Sequence, residues 1–262
     1  MKNIKHNGLQ IFDYEGKGLP LIFVHAFPLN SKMWQNQTEF FKDKFRVITY
    51  DVRGLGESKS VNNQFTMEKY ADDLLSLIEY LKLEKVFACG LSMGGYIILR
   101  GYIKHPEKFR GIILSDTKAE RDDDTALINR SNVISSLLNG KRNEFTSAFL
   151  TKLINKKSYN NPEIKNFLEN IMKENSDEGI CGAQLALGTR TNSVDFLKTF
   201  NVPALILVGE DDELTPPPFA ETMHKLISGS EMKIIKNSGH LSNIENPDMF
   251  NSYVMEFLLK YV

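Results

Sequence analysis

The chain of 262 residues contains little cysteine, almost no net charge and no long apolar run. Its two cysteines, Cys89 and Cys181, do not form a C-x-x-C pair, which disfavours metal binding and thioredoxin-like redox chemistry. The formal net charge of -1 gives no electrostatic reason to expect a nucleic-acid or anionic-membrane partner. The longest apolar runs, such as residues 205–208, are far too short to span a bilayer, and the polar start of the chain lacks the apolar region of a signal peptide. We therefore expect a soluble, cytoplasmic protein.

Short apolar runs alternate with amphipathic stretches over most of the chain. Several of the runs are continuously apolar, which is typical of strands buried on both faces of a parallel sheet. The runs are residues 19–25, 45–51, 85–90, 111–115, 203–208 and 231–235. Amphipathic helices are predicted at residues 67–82, 96–105, 217–227 and 250–262. Before them, Asn7-Gly8 favours a tight hairpin turn within residues 1–13. The alternation predicts an α/β fold with a mostly parallel central sheet flanked by helices.

This alternation is interrupted between residues 118 and 198, where no strand-like run occurs. The segment instead indicates three or four helices, at residues 124–138, 142–154, 162–173 and 179–189. We interpret residues 118–198 as a helical cap inserted into a core formed by residues 1–117 and 199–262. A separate helical domain is the alternative, and it is disfavoured because the strand pattern resumes at Val202.

The strongest chemical signal is the sequence G-L-S-M-G at residues 90–94, with Ser92 at its centre. It follows an apolar strand and precedes an apolar-periodic helix, which is the context that a G-x-S-x-G nucleophile motif requires. The sharp turn strains the backbone of the serine, and larger side chains two positions away on either side would clash. The helix start also stabilises negative charge near Ser92. The alternative is a glycine-rich helix start without catalytic meaning.

His240 is the candidate base among the five histidines of the chain. A serine hydroxyl is a weak nucleophile until a base takes its proton. His240 follows the last apolar run, so it is expected on a loop at the carboxyl edge of the sheet. His6, His105 and His224 are better explained as hairpin, helix-end and surface residues.

An acidic stretch at residues 209–216 offers the third group, a carboxylate that orients the histidine and stabilises its imidazolium. It follows the strand that is predicted to end at Val208 and contains four carboxylates. Most of these are expected to form a solvated loop before the next helix. The resulting chain order of Ser, Asp and His is the order expected for a fold with this serine motif.

Over essentially its whole length, the chain resembles the α/β-hydrolase superfamily. Within that superfamily it is most similar to small esterases, 3-oxoadipate enol-lactonases and cofactor-free haloperoxidases. Five motifs in the same order carry the resemblance: H-A-F-P at residues 25–28, D-V-R-G-L-G-E-S at residues 51–58, the Ser92 motif, residues 212–216, and G-H at residues 239–240 followed by E-N-P at residues 245–247.

The resemblance implies a role for individual residues. Asp212 matches the acid in a G-x-x-D-x-x-T-P pattern, while Asp116, at the end of an earlier strand, is an alternative acid used by some members. Phe27 and Met93 match the two residues whose backbone N–H groups form the oxyanion hole. Ala26 replaces the usual glycine beside Phe27, which is a mild departure that keeps the donor. His25 and residues 51–58 match structural positions of the family.

These parts predict a serine hydrolase that cleaves a small, partly apolar carboxylic ester or lactone through an acyl-enzyme, with no metal and no organic cofactor. A nucleophilic serine argues against the dehalogenases and epoxide hydrolases of the superfamily, which use aspartate there. Two alternatives stay open because they would use the same three residues. One is a hydrolase of C–C bonds in β-diketone-like substrates, and the other is a small-ligand receptor that keeps the triad.

Overall fold

A computed structural model describes residues 1–60 and 64–262 of the chain. Its centre is an eight-stranded sheet in the order β1-β2-β4-β3-β5-β6-β7-β8. The first two strands form an antiparallel hairpin, β2 pairs antiparallel to β4, and all further neighbours are parallel. The strands are β1 (Lys2–His6), β2 (Leu9–Asp13), β3 (Pro20–Val24), β4 (Arg46–Tyr50), β5 (Val86–Leu91), β6 (Phe109–Ser115), β7 (Ala204–Gly209) and β8 (Glu231–Ile235). The predicted α/β-hydrolase fold is thus confirmed, with a mostly parallel sheet.

Each predicted apolar run corresponds to a strand, and no end differs by more than two residues. In the hairpin, Asn7 and Gly8 have φ values of +49° and +84°, as the predicted tight turn requires. The strands β5 and β7 are buried along their whole length. Helices cover both faces of such strands, so the side chains on both faces are apolar. This is why the two strands are unbroken apolar runs in the sequence.

Helices flank the sheet, and the described residues also include 3₁₀ turns at Ser31–Trp34, Pro106–Lys108 and Val194–Thr199. Outside the segment 118–198, the α-helices are α1 (Gln35–Phe41), α2 (Met67–Tyr80), α3 (Met93–Lys104), α9 (Pro217–Leu226), α10 (Ser242–Glu245) and α11 (Pro247–Leu258). None of the helices within the described residues is both long and apolar enough to cross a membrane.

Outside the segment 118–198, two helix starts differ from the predicted ones. Helix α3 begins three residues earlier than the apolar periodicity indicated, because its first turn contains Gly94 and Gly95, which have low helix propensity. Helix α11 begins at Pro247, where proline is favoured as the first helical residue, and the Asn246 side chain accepts a hydrogen bond from the Met249 N–H.

The segment 118–198, hereafter the insertion, lies between β6 and β7 and contains helices only, all within the described part of the chain. It holds five α-helices where three or four were predicted, because the single turn α6 is too short to show periodicity. These helices are α4 (Asp124–Leu138), α5 (Arg142–Leu153), α6 (Lys156–Tyr159), α7 (Pro162–Lys173) and α8 (Asp177–Gly188). Within the insertion, α4 packs on α8 and α5 packs on α7.

The parallel strands bring distant segments to one edge of the sheet. Phe27, Ser92, Asp116, Asp212 and His240 follow the ends of β3, β5, β6, β7 and β8, respectively. Because the carboxyl ends of parallel strands lie at the same edge, and ligands bind at that edge in open α/β sheets, the fold places the predicted site residues together.

Candidate active site

Ser92 occupies the turn between β5 and α3 with φ +56° and ψ −113°. A non-glycine residue in such a conformation costs about 1–3 kcal/mol, so the surrounding structure must hold it in place. The Ser92 N–H donates to the Ser115 carbonyl at 3.0 Å, and the Ser92 carbonyl accepts from the Thr117 hydroxyl at 2.8 Å. Both contacts come from the neighbouring strand and the residues after it, so β6 fixes the backbone of the turn.

The two glycines of the motif are required by close packing. A Cβ on Gly90 would lie 2.4 Å from the backbone of Gly94, and a Cβ on Gly94 would lie 2.1 Å from the carbonyl oxygen of Val24. Real Cβ atoms essentially never come that close to backbone atoms. The G-x-S-x-G spacing therefore follows from the sharpness of the turn and its contact with β3.

His240 lies on the loop between β8 and α10 and is almost fully buried. Its Nδ1 is 2.9 Å from Oδ2 and 3.0 Å from Oδ1 of Asp212. Since a carboxylate can only accept, Nδ1 carries the proton, and Nε2 remains as the basic nitrogen of the neutral ring. Asp212 is thereby the acid that the structure brings to His240.

The Asp212 carboxylate is held by its own loop. Its Oδ1 accepts the backbone N–H groups of Leu214 at 2.8 Å and Thr215 at 2.9 Å, and its Oδ2 accepts the Thr215 hydroxyl at 2.8 Å. These donors fix the carboxylate with its oxygens toward His240. The T-P end of the motif thus has a physical role, because Thr215 orients the acid.

The pKa values of the pair move in opposite directions. Burial alone would lower the pKa of His240, but the charge of Asp212 and its hydrogen bond raise it above the ordinary value. Burial alone would raise the pKa of Asp212, but the His240 charge and the donors around the carboxylate lower it. The arrangement favours an ionised acid beside a histidine that gains a proton readily, as general base catalysis requires.

Asp116 is buried beside this pair but has other partners. Its Oδ1 accepts the Gly209 N–H at 2.7 Å, and its Oδ2 accepts the hydroxyls of Ser115 and Ser242. The described residues include no hydrogen bond between Asp116 and His240. Burial and the nearby Asp212 charge raise the pKa of Asp116 to about 7. Asp116 therefore connects β6 to the start of the Asp212 loop and to α10.

Phe27 lies on the loop after β3 and lines the same cavity as Ser92, and Met93 follows Ser92 as the first residue of α3. Their backbone N–H groups have no protein acceptor in residues 1–60 and 64–262. The Phe27 ring packs edge-on against Phe149 of the insertion, with centroids 5.6 Å apart. Two amides near a serine at a helix start could donate to a developing oxyanion.

The remaining motif residues brace loops. The His25 ring uses both nitrogens on backbone groups, and its Nε2 accepts the Val52 N–H at 2.8 Å. Asp51 accepts hydrogen bonds from the backbone N–H groups of Ser31 and Glu57. Arg53 forms a buried ion pair with Asp73 at 2.6 Å. Each of these side chains is committed to protein partners away from Ser92.

A cavity of about 260 Å³ lies over Ser92 and His240. Its apolar lining comes from both the core and the insertion, and its polar lining includes several charged side chains. The lining residues are Phe27, Ser92, Tyr96, Lys118, Asp122, Ala126, Asn129, Arg130, Val133, Phe149, Lys152, Gln184, Leu187, Leu214, Thr215 and His240. Most of them belong to the insertion.

Glu245 belongs to a motif found in the sequence but was given no role there, and Lys118 and Asp122 were not predicted as site residues. Glu245 accepts the N–H groups of Gly239 and Asn155 at 2.8 Å each, so it ties the His240 loop to the insertion. Lys118 and Asp122 line the cavity directly after β6. Their position after a parallel strand is the signal that could have identified them, because that edge carries the site.

Comparison with known proteins places the chain in a family. The family model of the alpha/beta hydrolase fold matches residues 20–247. The chain is 27% identical to 3-oxoadipate enol-lactonase 2 of Acinetobacter baylyi, with 92% of this chain and 88% of that protein covered. It is 31% identical to AB hydrolase superfamily protein YisY of Bacillus subtilis, with 98% and 97% covered.

A similar solved structure is that of a thermophilic esterase from Thermogutta terrifontis with malate bound. It superposes with a TM-score of 0.94 and 33% sequence identity, and the match covers 100% of this chain and 99% of that chain. The family match and the matching fold agree, and the chain belongs to the α/β-hydrolase fold family.

Proposed function

We propose that this protein is a serine hydrolase that cleaves a carboxylic ester or lactone of a small, partly apolar substrate through an acyl-enzyme. The observation that carries the proposal is the placement of Ser92. It stands in a strained turn and lines the same cavity as His240, whose Nδ1 is bonded to both oxygens of Asp212. A nucleophile, a base and an orienting acid are the parts of a catalytic triad.

In the proposed reaction, Nε2 of His240 takes the Ser92 proton while Oγ attacks the carbonyl carbon. The N–H groups of Phe27 and Met93 stabilise the oxyanion, and loss of one such donor typically lowers the rate by about 10²–10³-fold. His240 then donates its proton to the leaving group and activates a water molecule that hydrolyses the acyl-enzyme. The lowered pKa of Asp212 keeps the acid ionised while His240 is transiently charged.

The cavity and the comparisons support an ester or lactone as the substrate. Its volume suits a small molecule, and Phe27, Val133, Phe149 and Leu187 offer apolar contact. The similar proteins include an enol-lactonase and an esterase, both of which act on ester-type bonds. In this proposal the insertion is a cap that closes the cavity, and the protein works in the cytoplasm.

The test is active-site labelling with a fluorophosphonate probe, followed by peptide mass spectrometry. We expect wild-type protein to be labelled at Ser92 and Ser92→Ala to be unlabelled and unable to hydrolyse p-nitrophenyl acetate. Ser252→Ala removes an exposed hydroxyl on α11 and should behave as wild type. Labelling or hydrolysis that survives in folded Ser92→Ala would show that another residue is the nucleophile.

A further inference from the structure

More cationic than anionic side chains line the cavity over Ser92. Three cationic side chains, Lys118, Arg130 and Lys152, face it, whereas Asp122 is the carboxylate among its lining residues. Lys152 is exposed. Lys118 is only 16% exposed at its side chain, and Arg130 is 22% exposed. The proposed catalytic residues require no positive charge at these positions, so the cations need a separate explanation.

Asp122 does not neutralise all of these cations, because both of its oxygens are already bonded. Oδ2 accepts from Nε of Arg130, and Oδ1 accepts from Nη2 of Arg190 at 2.7 Å. Although burial opposes it, these hydrogen bonds lower the pKa of Asp122 to about 2, so it is ionised at neutral pH. Arg190 has further bonds to two backbone carbonyls and stacks on Tyr96, which leaves it committed to the protein.

Lys118 is left without a hydrogen-bond acceptor in the described part of the chain. Its Nζ is 3.8 Å from Oδ1 of Asp122, which is beyond hydrogen-bond distance, and it lies 5.0 Å from the ring centroid of Phe219. Glu120 also lies within electrostatic range but does not line the cavity. Burial and the Arg190 charge lower the pKa of Lys118, although the charges of Asp122 and Glu120 act to raise it.

Arg130 offers a second donor beside Lys118. Its Nε bonds Asp122 and its Nη1 bonds Gln184 at 2.8 Å, while Nη2 has no acceptor among residues 1–60 and 64–262. Lys118 and Arg130 both line this cavity, whose walls are partly apolar. A mostly buried ammonium without a hydrogen-bond acceptor, beside a guanidinium with an unused N–H group, matches an anion better than a neutral group.

We propose that Lys118, together with Arg130, binds a carboxylate carried by the substrate, so that the preferred substrates are anionic esters or lactones. This inference rests on the proposed function, since it concerns the same cavity. One substrate carboxylate would accept hydrogen bonds from both Lys118 and Arg130. It would also compensate the positive charge that Asp122 does not neutralise. Hydrogen bonds to charged partners in such sites are strong, and loss of one commonly lowers affinity by about tenfold to a hundredfold.

Matched ester pairs that differ by one charge test the inference. Half methyl esters of succinate, glutarate, adipate and pimelate are compared with the dimethyl esters, and 4-acetoxybenzoate is compared with its methyl ester. The two sets place the carboxylate on the acyl or the alcohol side. We expect wild-type protein to favour the anionic member of at least one pair, measured as the ratio of kcat/KM values.

In Lys118→Met, that ratio should fall at least tenfold, and Lys118→Arg should retain part of it. The matched control is Lys225→Met, which removes the same charge from the exposed surface of α9 and should keep both the ratio and the rate. Circular dichroism confirms that each variant is folded. A binding measurement does not depend on turnover: Ser92→Ala should bind the preferred half-ester at least tenfold more weakly when Lys118→Met is added.

The outcomes separate the two proposals. If wild-type protein labels at Ser92 and cleaves neutral esters without favouring any anionic partner, the carboxylate site is wrong and the proposed function stands. A preference that persists in folded Lys118→Met also overturns the site. If Ser92 is not labelled and no ester is cleaved, the proposed function fails, and this inference fails with it.

Discussion

At the scale of single residues, two buried aspartates compete for the role of the acid. Both carboxylate oxygens of Asp212 contact His240. The oxygens of Asp116 instead accept hydrogen bonds from Gly209, Ser115 and Ser242. The two carboxylates also differ in position, because Asp212 is the third residue after the end of β7, whereas Asp116 directly follows β6. We propose Asp212 as the acid and Asp116 as a positioning residue for the Asp212 loop.

Substitution by asparagine should distinguish the two. We expect Asp212→Asn to lower kcat on an activated ester by about 10⁴-fold, because the amide cannot stabilise the imidazolium or fix its tautomer. Asp116→Asn should cost far less, since it leaves the His240 bonds in place. Steady-state kinetics and circular dichroism on both folded variants check this. If Asp116→Asn is the more damaging, Asp116 is the acid.

The pH profile offers a second check on these residues. His240 must be neutral to accept a proton, so kcat/KM should rise as pH rises through its pKa and be lost below it. Because the pKa of His240 is raised, this midpoint should lie above about 6.5, the ordinary value for histidine. The ionised form of Asp116 contributes to that rise, so Asp116→Asn should move the midpoint to lower pH.

The control for this shift is Asp248→Asn, which removes an exposed carboxylate at the start of α11. Its profile should superpose on that of wild type. An unchanged midpoint in Asp116→Asn would mean that Asp116 carries no charge near His240 over this range.

At the scale of elements, the junction of β5 and α3 imposes close packing beside the site. The first turn of α3 lies against the end of β3, so Gly94 meets the Val24 carbonyl. Later in the same helix, a Cβ on Gly101 would find only ordinary contacts, at 3.4 Å or more, with Phe109 and Leu74. One helix thus contains a glycine that packing requires and a glycine that it does not.

Alanine at each position should separate these cases. We expect Gly94→Ala to lower the free energy of unfolding by about 2–3 kcal/mol, because backbone must move to admit the methyl group. Gly101→Ala should leave it unchanged or raise it by up to about 1 kcal/mol, since alanine is the better helix former. Urea unfolding at equilibrium measures both values. Equal effects at the two positions would contradict the packing argument.

At the scale of the whole molecule, the insertion is tied to the core next to the site. Asn175, between α7 and α8, donates to the Pro28 carbonyl at 2.6 Å and accepts the Gly56 N–H at 2.6 Å. Asn175 is buried, so these two backbone groups depend on its amide. It thereby joins the insertion to the loop that carries Phe27.

Removal of the Asn175 amide should destabilise the whole protein. We expect Asn175→Ala to lower the free energy of unfolding by about 2 kcal/mol, because the buried Pro28 carbonyl and the partly buried Gly56 N–H lose their partner. Asn166→Ala, at an exposed position of α7, should have little effect. Urea unfolding with matched esterase assays tests both variants. A stability equal to that of wild type in Asn175→Ala would mean that water replaces the amide.

The sequence by itself determined the fold class and most of the elements. Continuous apolar runs, helical periodicity and the G-x-S-x-G turn are local signals, because burial on two faces, amphipathicity and a sharp turn each restrict residues near in sequence. The positions of Ser92, Asp212 and His240 after their strands followed from the same signals. The resemblance to the family singled out Asp212 among the four carboxylates of its loop.

Only the tertiary structure decided how residues distant in sequence share their partners. The choice of Asp212 over Asp116 as the neighbour of His240 depends on loops that approach across the sheet edge. Within the described residues, the Lys118 ammonium lacks a hydrogen-bond acceptor because Arg130 and Arg190 already occupy the oxygens of Asp122. The partner of each buried polar group often lies far away in the chain. A local pattern of residues therefore cannot predict which charged side chain remains available to bind a ligand.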